Sequence, residues 1–463
     1  MAGYAALDVL LNLELTQLDE EGYDTAGLHQ KLQAAGTDGA SLLEVYEEMQ
    51  RLPKRQDFSY IEPSDLEHIR LDRPAGPRKL DDTLHDSQWK DKFYGAWLGR
   101  CCGCALGKPL ESYPFNVGKD GKPGWFWIKA WYEGADAWPI QGYVPRHSRL
   151  ELTNPIEMPN IHSYRDMMTY MESDDDLRYT VLGLVLLEQK GLQWDSWDIG
   201  DLWHKYLTYQ QVCTAETQSY INFIQVAPRE NYKKPSNWPE RKEWVRTYLN
   251  PYREWIGAQI RADAFGYAAA GNPELAAELA WRDGSFSHVK NGIYGEMYTA
   301  AMIAAAFVTD DVEDIVRIGL SEIPQQSRLA QAIHQAIEIT KTCHDQIELV
   351  GRIEQAFNSY NWVHTINNAA LVTAALLFSE GDFETAITTA VLGGWDTDCN
   401  GATLGSIMGA MLGASRLPSR WTEPLDDTLY AEIINFHPIS ISECAQRSYS
   451  VFRKIQSELN RSK

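Results

Sequence analysis

Glycine recurs at every fourth residue in two stretches of this chain, at Gly95, Gly99, Gly103 and Gly107 and again at Gly401, Gly405, Gly409 and Gly413. A glycine costs a helix interior about 1 kcal/mol relative to alanine, so eight of them need a compensating gain. Residues four apart share one helix face. A glycine face lets two backbones approach closely, and each stripe is the natural partner of the other. The intervening Ala, Leu and Met argue for helices rather than loose glycine segments. The pattern predicts a pair of tightly packed helices that fixes the loops at their ends.

The rest of the sequence is compatible with such a spine. Periodic apolar positions predict helices near 89–107, 174–190, 252–270, 287–307, 325–342, 367–379, 382–392, 400–414 and 442–460. Asn272-Pro273-Glu274 supplies a cap, a first-position proline and a first-turn acid. Gly393-Gly394 is a helix stop. Alternating strand patterns are scarce, so the fold class is all-α. Leu7, Leu10, Leu11, Leu15 and Leu18 give one apolar helix face near the amino terminus, and Leu42, Val45, Tyr46 and Met49 give another. Residues 53–87 carry Pro53, Pro63, Pro74 and Pro77 and read as a linker or wrapping arm. The expected division is a helical extension with its linker over 1–87 and a helical domain over 88–463.

A net charge of −22 disfavours partners held by phosphate neutralisation, so nucleic acid is not expected. The seven cysteines form no C-x-x-C pair and read as free thiols. The first residues lack a basic leader, and no apolar run is long enough to span a membrane; the expected location is cytoplasmic.

Two acidic clusters carry the chemistry. One is Ser173-Asp174-Asp175-Asp176; the other is Asp396-Thr397-Asp398-Cys399, preceded by Gly394-Trp395 and followed by the second glycine stripe. Each sits where a helix is expected to begin, and capping alone would account for Asp176. Both clusters together ask for more. Carboxylates are hard oxygen ligands, and packing several inside a protein is costly unless cations neutralise them. The expectation is a buried divalent-metal site made from two helix ends more than two hundred residues apart.

The order of these motifs resembles the ADP-ribosylglycohydrolase family. The stretch Gly95 to Glu111 is similar to its G-x-x-x-G-x-A-x-G-x-P-x-E opening. Ser173-Asp174-Asp175 is similar to its T-D-D, Ser287-His288 with the Ala-rich helix to its Ser/Thr-His segment, and Gly394 to Ala414 to its G-x-D-T-D-T ending. The resemblance covers about residues 90–415. It implies a compact all-helical bundle, one or two Mg²⁺ or Mn²⁺ ions, and metal ligands at Ser173, Asp174, Asp175, Asp396, Asp398 and Cys399. It implies catalytic roles for Asp175 and Glu111, and substrate contacts at His288, Gly257 and Trp395. Cys399 stands where the family has a hydroxyl, and a thiol suits softer metals than Mg²⁺. Ile256-Gly257-Ala258-Gln259-Ile260-Arg261 stands where the family has N-G-x-x-M-R, without the asparagine.

The chemistry implied is hydrolysis at C1 of a ribose. The cis-diol is a bidentate ligand for paired cations, and a carboxylate accepts the proton of the attacking water. The expected substrate is an ADP-ribosylated protein or small molecule. The alternatives are an N-ribosyl hydrolase of a nucleoside-like metabolite and a non-catalytic ADP-ribose binder. The aromatic stretch with Trp125, Phe126, Trp127, Trp131, Tyr132 and Trp138 could stack a flat group or form a lid packed on itself. The basic run Arg229, Lys233, Lys234, Arg241, Lys242 and Arg246 reads as a solvated loop rather than a pyrophosphate site. The Cys101-Cys102-x-Cys104 cluster reads as small residues on a buried helix.

Overall fold

The two glycine stripes meet. In the computed structural model, which describes residues 4–81, 83–227 and 233–461, helix Asp86–Gly107 runs antiparallel to helix Thr397–Leu412. Gly95 faces Gly409, Gly99 faces Gly405, Gly103 faces Gly401, and Gly107 faces Thr397. A Cβ on any of these glycines would run into backbone of the opposite helix. Gly413 differs: it ends the second helix at φ +81°. Lys92 reaches that end and donates to the carbonyls of Ala410 at 3.0 Å and Met411 at 2.6 Å, which offsets the negative end of the helix. Both helices are buried all round from Gly95 to Gly107 and from Thr397 to Leu412, as the centre of a helical assembly must be.

Among the described residues the chain forms 21 α-helices and one short antiparallel ladder, Thr428–Leu429 with Ile439–Ser440. The fold is all-α. The expected helices recur as Asp175–Lys190, Lys290–Ala306, Arg328–Thr340, Thr365–Phe378, Phe383–Leu392 and Ile441–Arg461. The helix expected over 252–270 does not form. That segment holds turns, a 3₁₀ turn Gln259–Arg261 and the short helix Asp263–Ala268. Its backbone is engaged elsewhere: Ile256 N donates to Val363 O at 2.8 Å, and Glu254 O accepts from Thr365 N at 3.1 Å. Pairing with residues 363–365 replaces the helical ladder. No helix among the described residues is long and apolar enough to cross a membrane.

The amino-terminal helices Leu7–Glu20, Leu28–Ala35 and Gly39–Met49 share a small apolar cluster around Leu11, Leu18, Leu32 and Met49, and Leu249 joins it. Charged groups fasten them to the irregular segment. Arg253 donates to Glu14 at 2.7 Å and Glu21 at 2.8 Å, and Gln17 donates to Glu254 at 2.7 Å. Residues 53–81 are tied to the helical domain by ion pairs and hydrogen bonds. Glu62 accepts from Arg328 and Asn291, each at 2.8 Å, and Arg73 bridges Glu274 and Glu322.

Glu20 lies 3.5 Å from His364 Nε2 at this junction. Burial, then the neighbouring Glu254 and Glu21, push its carboxyl up to about 8. A carboxyl with a raised folded-state pKa contributes stability that is full below its unfolded value and lost as pH rises through the folded one. Glu20→Gln is therefore expected to raise Tm at pH 8 relative to the parent and to leave it unchanged near pH 4.5. Parallel melting curves across that range would refute the assignment.

The aromatic stretch folds on itself. Trp131 donates to Pro145 O at 2.9 Å and stands edge-on to Phe115, and Trp127 and Tyr132 are buried. This layer abuts the turn before Asp396, where a Cβ on Gly394 would meet Phe115 O.

Candidate functional site

The antiparallel spine brings the end of its first helix to the start of its second. Gly107 O accepts from Thr397 Oγ1 at 2.9 Å. Cys104, Lys108 and Glu111 thereby come beside Asp396 and Asp398. The start of helix Asp175–Lys190 is fastened to the same place by Arg100, which is fully buried on the first glycine helix. Its guanidinium donates to the Asp176 carbonyl at 2.8 Å and the Ile260 carbonyl at 2.7 Å, and pairs with Asp176 at 3.1 Å and Asp263 at 2.6 Å.

The two acidic motifs converge. Ligand atoms of Cys104, Asp174, Asp176 and Asp398 lie within 4.8 Å of one another, and so do those of Asp396, Asp398 and Cys399. Asp398 belongs to both groups. Capping explains only part of this. Asp174 caps its helix by accepting from Asp176 N at 3.0 Å. Asp396 stands at a cap position but makes no side-chain cap bond. One carboxylate oxygen each of Asp176, Asp396 and Asp398 is buried without any hydrogen-bond partner. Buried polar atoms are nearly always paired, so these three oxygens fit a ligand. They are hard donors, at the positive ends of two helices, in a geometry that a divalent oxygen-seeking cation would complete.

The electrostatics agree. Burial opposes charge on Asp174, but Lys108, 2.5 Å from its Oδ2, overrides this and holds Asp174 ionised. Elsewhere repulsion adds to burial. Burial followed by Asp174 raises Asp175 to about 6. Burial followed by Asp175 and Asp174 raises Asp396 to about 7, against bonds from Cys399 and Asp398. Asp398 is pushed up by burial and then by Glu111, Asp174 and Asp396. Burial and these same carboxylates push the thiols of Cys104 and Cys399 well above their ordinary range. A thiol is also a softer donor than a carboxylate, so the oxygens are the better match for a hard ion.

The remaining sequence candidates fall around this centre. Ser173 Oγ accepts from Arg178 at 3.0 Å, and Asp175 is half-buried, outside both groups. Glu111 is exposed to solvent, yet protein crowding it from the sides, then Asp396, Asp174 and Asp175, raises its carboxyl well above the usual range. Trp395 is buried at φ +59° and donates its N–H to Asn116 O at 3.2 Å. His288 and Gly257 belong to a neighbouring buried network. Arg261 pairs there with Glu216 and Asp283 and donates to Ser287 Oγ at 3.0 Å, and Ser287 Oγ meets His288 Nδ1 at 2.9 Å. A Cβ on Gly257 would strike the Glu216 carboxylate. Glu216, pushed up to about 7 by burial against the pull of Arg261, also feels Asp175.

Several participants escaped sequence reading. Asp176 and Cys104 join the cluster, and Lys108 and Arg100 neutralise it. Cys104 is spaced three residues from Cys101 and one turn before Lys108, a signal that turns chemical only once Asp398 lies opposite. Asn368 is another: its Oδ1 accepts from Asn400 at 2.7 Å and holds the turn before Asp398. The basic run stays apart. Lys234 pairs with Asp195, Arg246 with Glu243, and Lys242 sits 4.9 Å above Trp281; Arg229 lies outside the described residues.

The family model described as ADP-ribosylglycohydrolase matches residues 85–453. No curated protein matches the chain in sequence. A solved structure described as an ADP-ribosylglycohydrolase-related protein complex is similar at 16% identity and a TM-score of 0.42, over 79% of this chain and 99% of that one. With the family model matching from the start of the first glycine helix through the second and beyond, the chain belongs to the ADP-ribosylglycohydrolase family, glycosidase-type hydrolases of ADP-ribosyl compounds.

Proposed function

We propose that this protein releases ADP-ribose from an ADP-ribosylated protein side chain or small molecule, with Mg²⁺ or Mn²⁺ at the carboxylate centre. The observation that carries this reading is the set of buried carboxylate oxygens of Asp176, Asp396 and Asp398 that have no partner. Asp174, Asp176, Asp396 and Asp398 would hold the cation, one ion or two. Bound there, the cation would anchor the ribose hydroxyls and orient water.

Burial divides the labour among the acids. Asp174, Asp176, Asp396 and Asp398 are buried, whereas Asp175 is half-buried and Glu111 is exposed. A base must reach both solvent and substrate, so Asp175 and Glu111 suit that role. Asp175, held near 6, is ionised at neutral pH. Water oxygen bonds to C1 as the bond from C1 to the acceptor nitrogen or oxygen breaks. The carboxylate takes the proton from water, and the leaving group acquires one from solvent. The negative cluster stabilises the positive charge that develops on the ring. His288, Gly257 and Trp395 then act at one remove, as supports behind the carboxylate centre.

The test is release of ADP-ribose from ADP-ribosyl-arginine and ADP-ribosyl-serine, with simple ribonucleosides alongside. At least one ADP-ribosyl substrate is expected to be cleaved, the activity to vanish in EDTA, and Mg²⁺ or Mn²⁺ to restore it. An undiminished rate in EDTA would remove the metal from the reading. Turnover of nucleosides alone would replace the substrate class.

A further inference from the structure

The carboxylate centre has a cation of its own. Lys108 follows the first glycine helix directly, in the 3₁₀ turn Lys108–Leu110, and its backbone N–H still donates to Cys104 O. Gly107, the residue before it, packs against Thr397, so the glycine spine fixes where the lysine starts. The Lys108 side chain is 17% exposed, and its Nζ lies 2.5 Å from Asp174 Oδ2. The other oxygen of Asp174 accepts from Asp176 N at 3.0 Å. Both oxygens of Asp174 are therefore engaged. The ligand atoms around them form two groups that share Asp398, and Asp174 belongs to the group with Cys104 and Asp176. A pair of ions would need one in each group. An ion in the group with Asp174 would have to share that carboxylate with the ammonium, and like charges in a buried site are poorly screened. Each group also includes a thiol, a soft donor for a hard ion. The buried oxygens that have no partner, one each on Asp176, Asp396 and Asp398, suffice to start the shell of one hard ion, which water or substrate oxygens would complete.

We infer that this chain binds a single divalent cation, and that the Lys108 ammonium stands in for a second one at Asp174. This rests on the functional reading above, which places a cation on these carboxylates, and it decides between one ion and two. Lysine suits the place because its ammonium is a compact point charge on a flexible stem. Arg100 cannot do the same work for Asp174, since its guanidinium is taken by Asp176 and Asp263. Asp174 then supports the single ion by its charge from beside Lys108, while Asp176, Asp396 and Asp398 touch it.

The test is Mn²⁺ binding by the full chain stripped of metal with EDTA, counted by isothermal titration and read by electron paramagnetic resonance. The parent is expected to take one Mn²⁺ per chain and to give the spectrum of an isolated ion. Lys108→Met removes the charge and keeps the length of the stem. It is expected to take two, with the coupled spectrum of neighbouring Mn²⁺ ions. Lys108→Arg, which keeps a positive charge, is expected to stay at one. Lys108→Gln serves in place of Lys108→Met if the latter does not fold. Two ions in the parent would overturn the inference, and so would a single ion in an uncharged variant that melts like the parent. A parent that binds no Mn²⁺ would instead remove the reading beneath it.

Discussion

Asp398→Ala is expected to abolish turnover and divalent binding while leaving the chelated protein at least as stable as the parent. Asp398 is the one residue in both groupings of ligand atoms, and one of its oxygens is buried without a partner. Stabilisation by a bound metal is worth several kcal/mol of a barrier, so its loss corresponds to roughly 10³-fold or more in rate. The stability effect has the opposite sign to that of an ordinary core truncation. Burial, then Glu111, Asp174 and Asp396, oppose ionisation of Asp398, so removing it relieves repulsion in the metal-free fold. Isothermal titration with Mn²⁺, kinetics, and melting in EDTA read the three consequences. Asp174→Ala and Asp396→Ala should share the loss of activity. A variant that turned over at the parent rate, or one that melted far below the parent in EDTA, would show that Asp398 supports the fold rather than the ion.

Gly103→Ala is expected to destabilise the protein severely, although alanine is the better helix former. Two terms compete. Helix propensity favours alanine by about 1 kcal/mol. Against it, the new Cβ would meet the carbonyl of Gly401 and the N of Ala402. These are backbone atoms of a fully buried helix and have no side-chain freedom with which to yield. Overpacking costs about 1–3 kcal/mol where neighbours can shift, and more where they cannot, so the clash wins. Gly103→Val should fail to fold. The expected result is a large drop in Tm for Gly103→Ala, together with weaker metal binding as the ends of the two helices separate. A Tm equal to or above that of the parent would mean that the helices are not locked as their backbones suggest.

The glycine spacing and the two acidic motifs were legible because each depends on local chemistry. A four-residue glycine repeat has one economical use, and the facing pairs Gly95 with Gly409, Gly99 with Gly405 and Gly103 with Gly401 realise it. Segment 252–270 misled because its apolar spacing is helical while its hydrogen bonds go to residues 363–365, which sequence cannot reveal. Asp176 looked like a cap because a helix start explains an acid until Asp398 and Cys104 stand beside it. Lys108 and Arg100 carried no signal, since a cation becomes a counter-charge only in the presence of its acids.

The sequence by itself determined a helical chain, a close-packed pair of helices and two sets of carboxylates that need neutralising. These follow from spacing along one chain, where backbone sterics and side-chain chemistry act over a few residues. Only the tertiary structure decided which oxygens are left without a partner and which acids face solvent. Those are properties of distance and burial between remote segments, and burial sets both the charge a carboxyl can carry and the ligand it can reach.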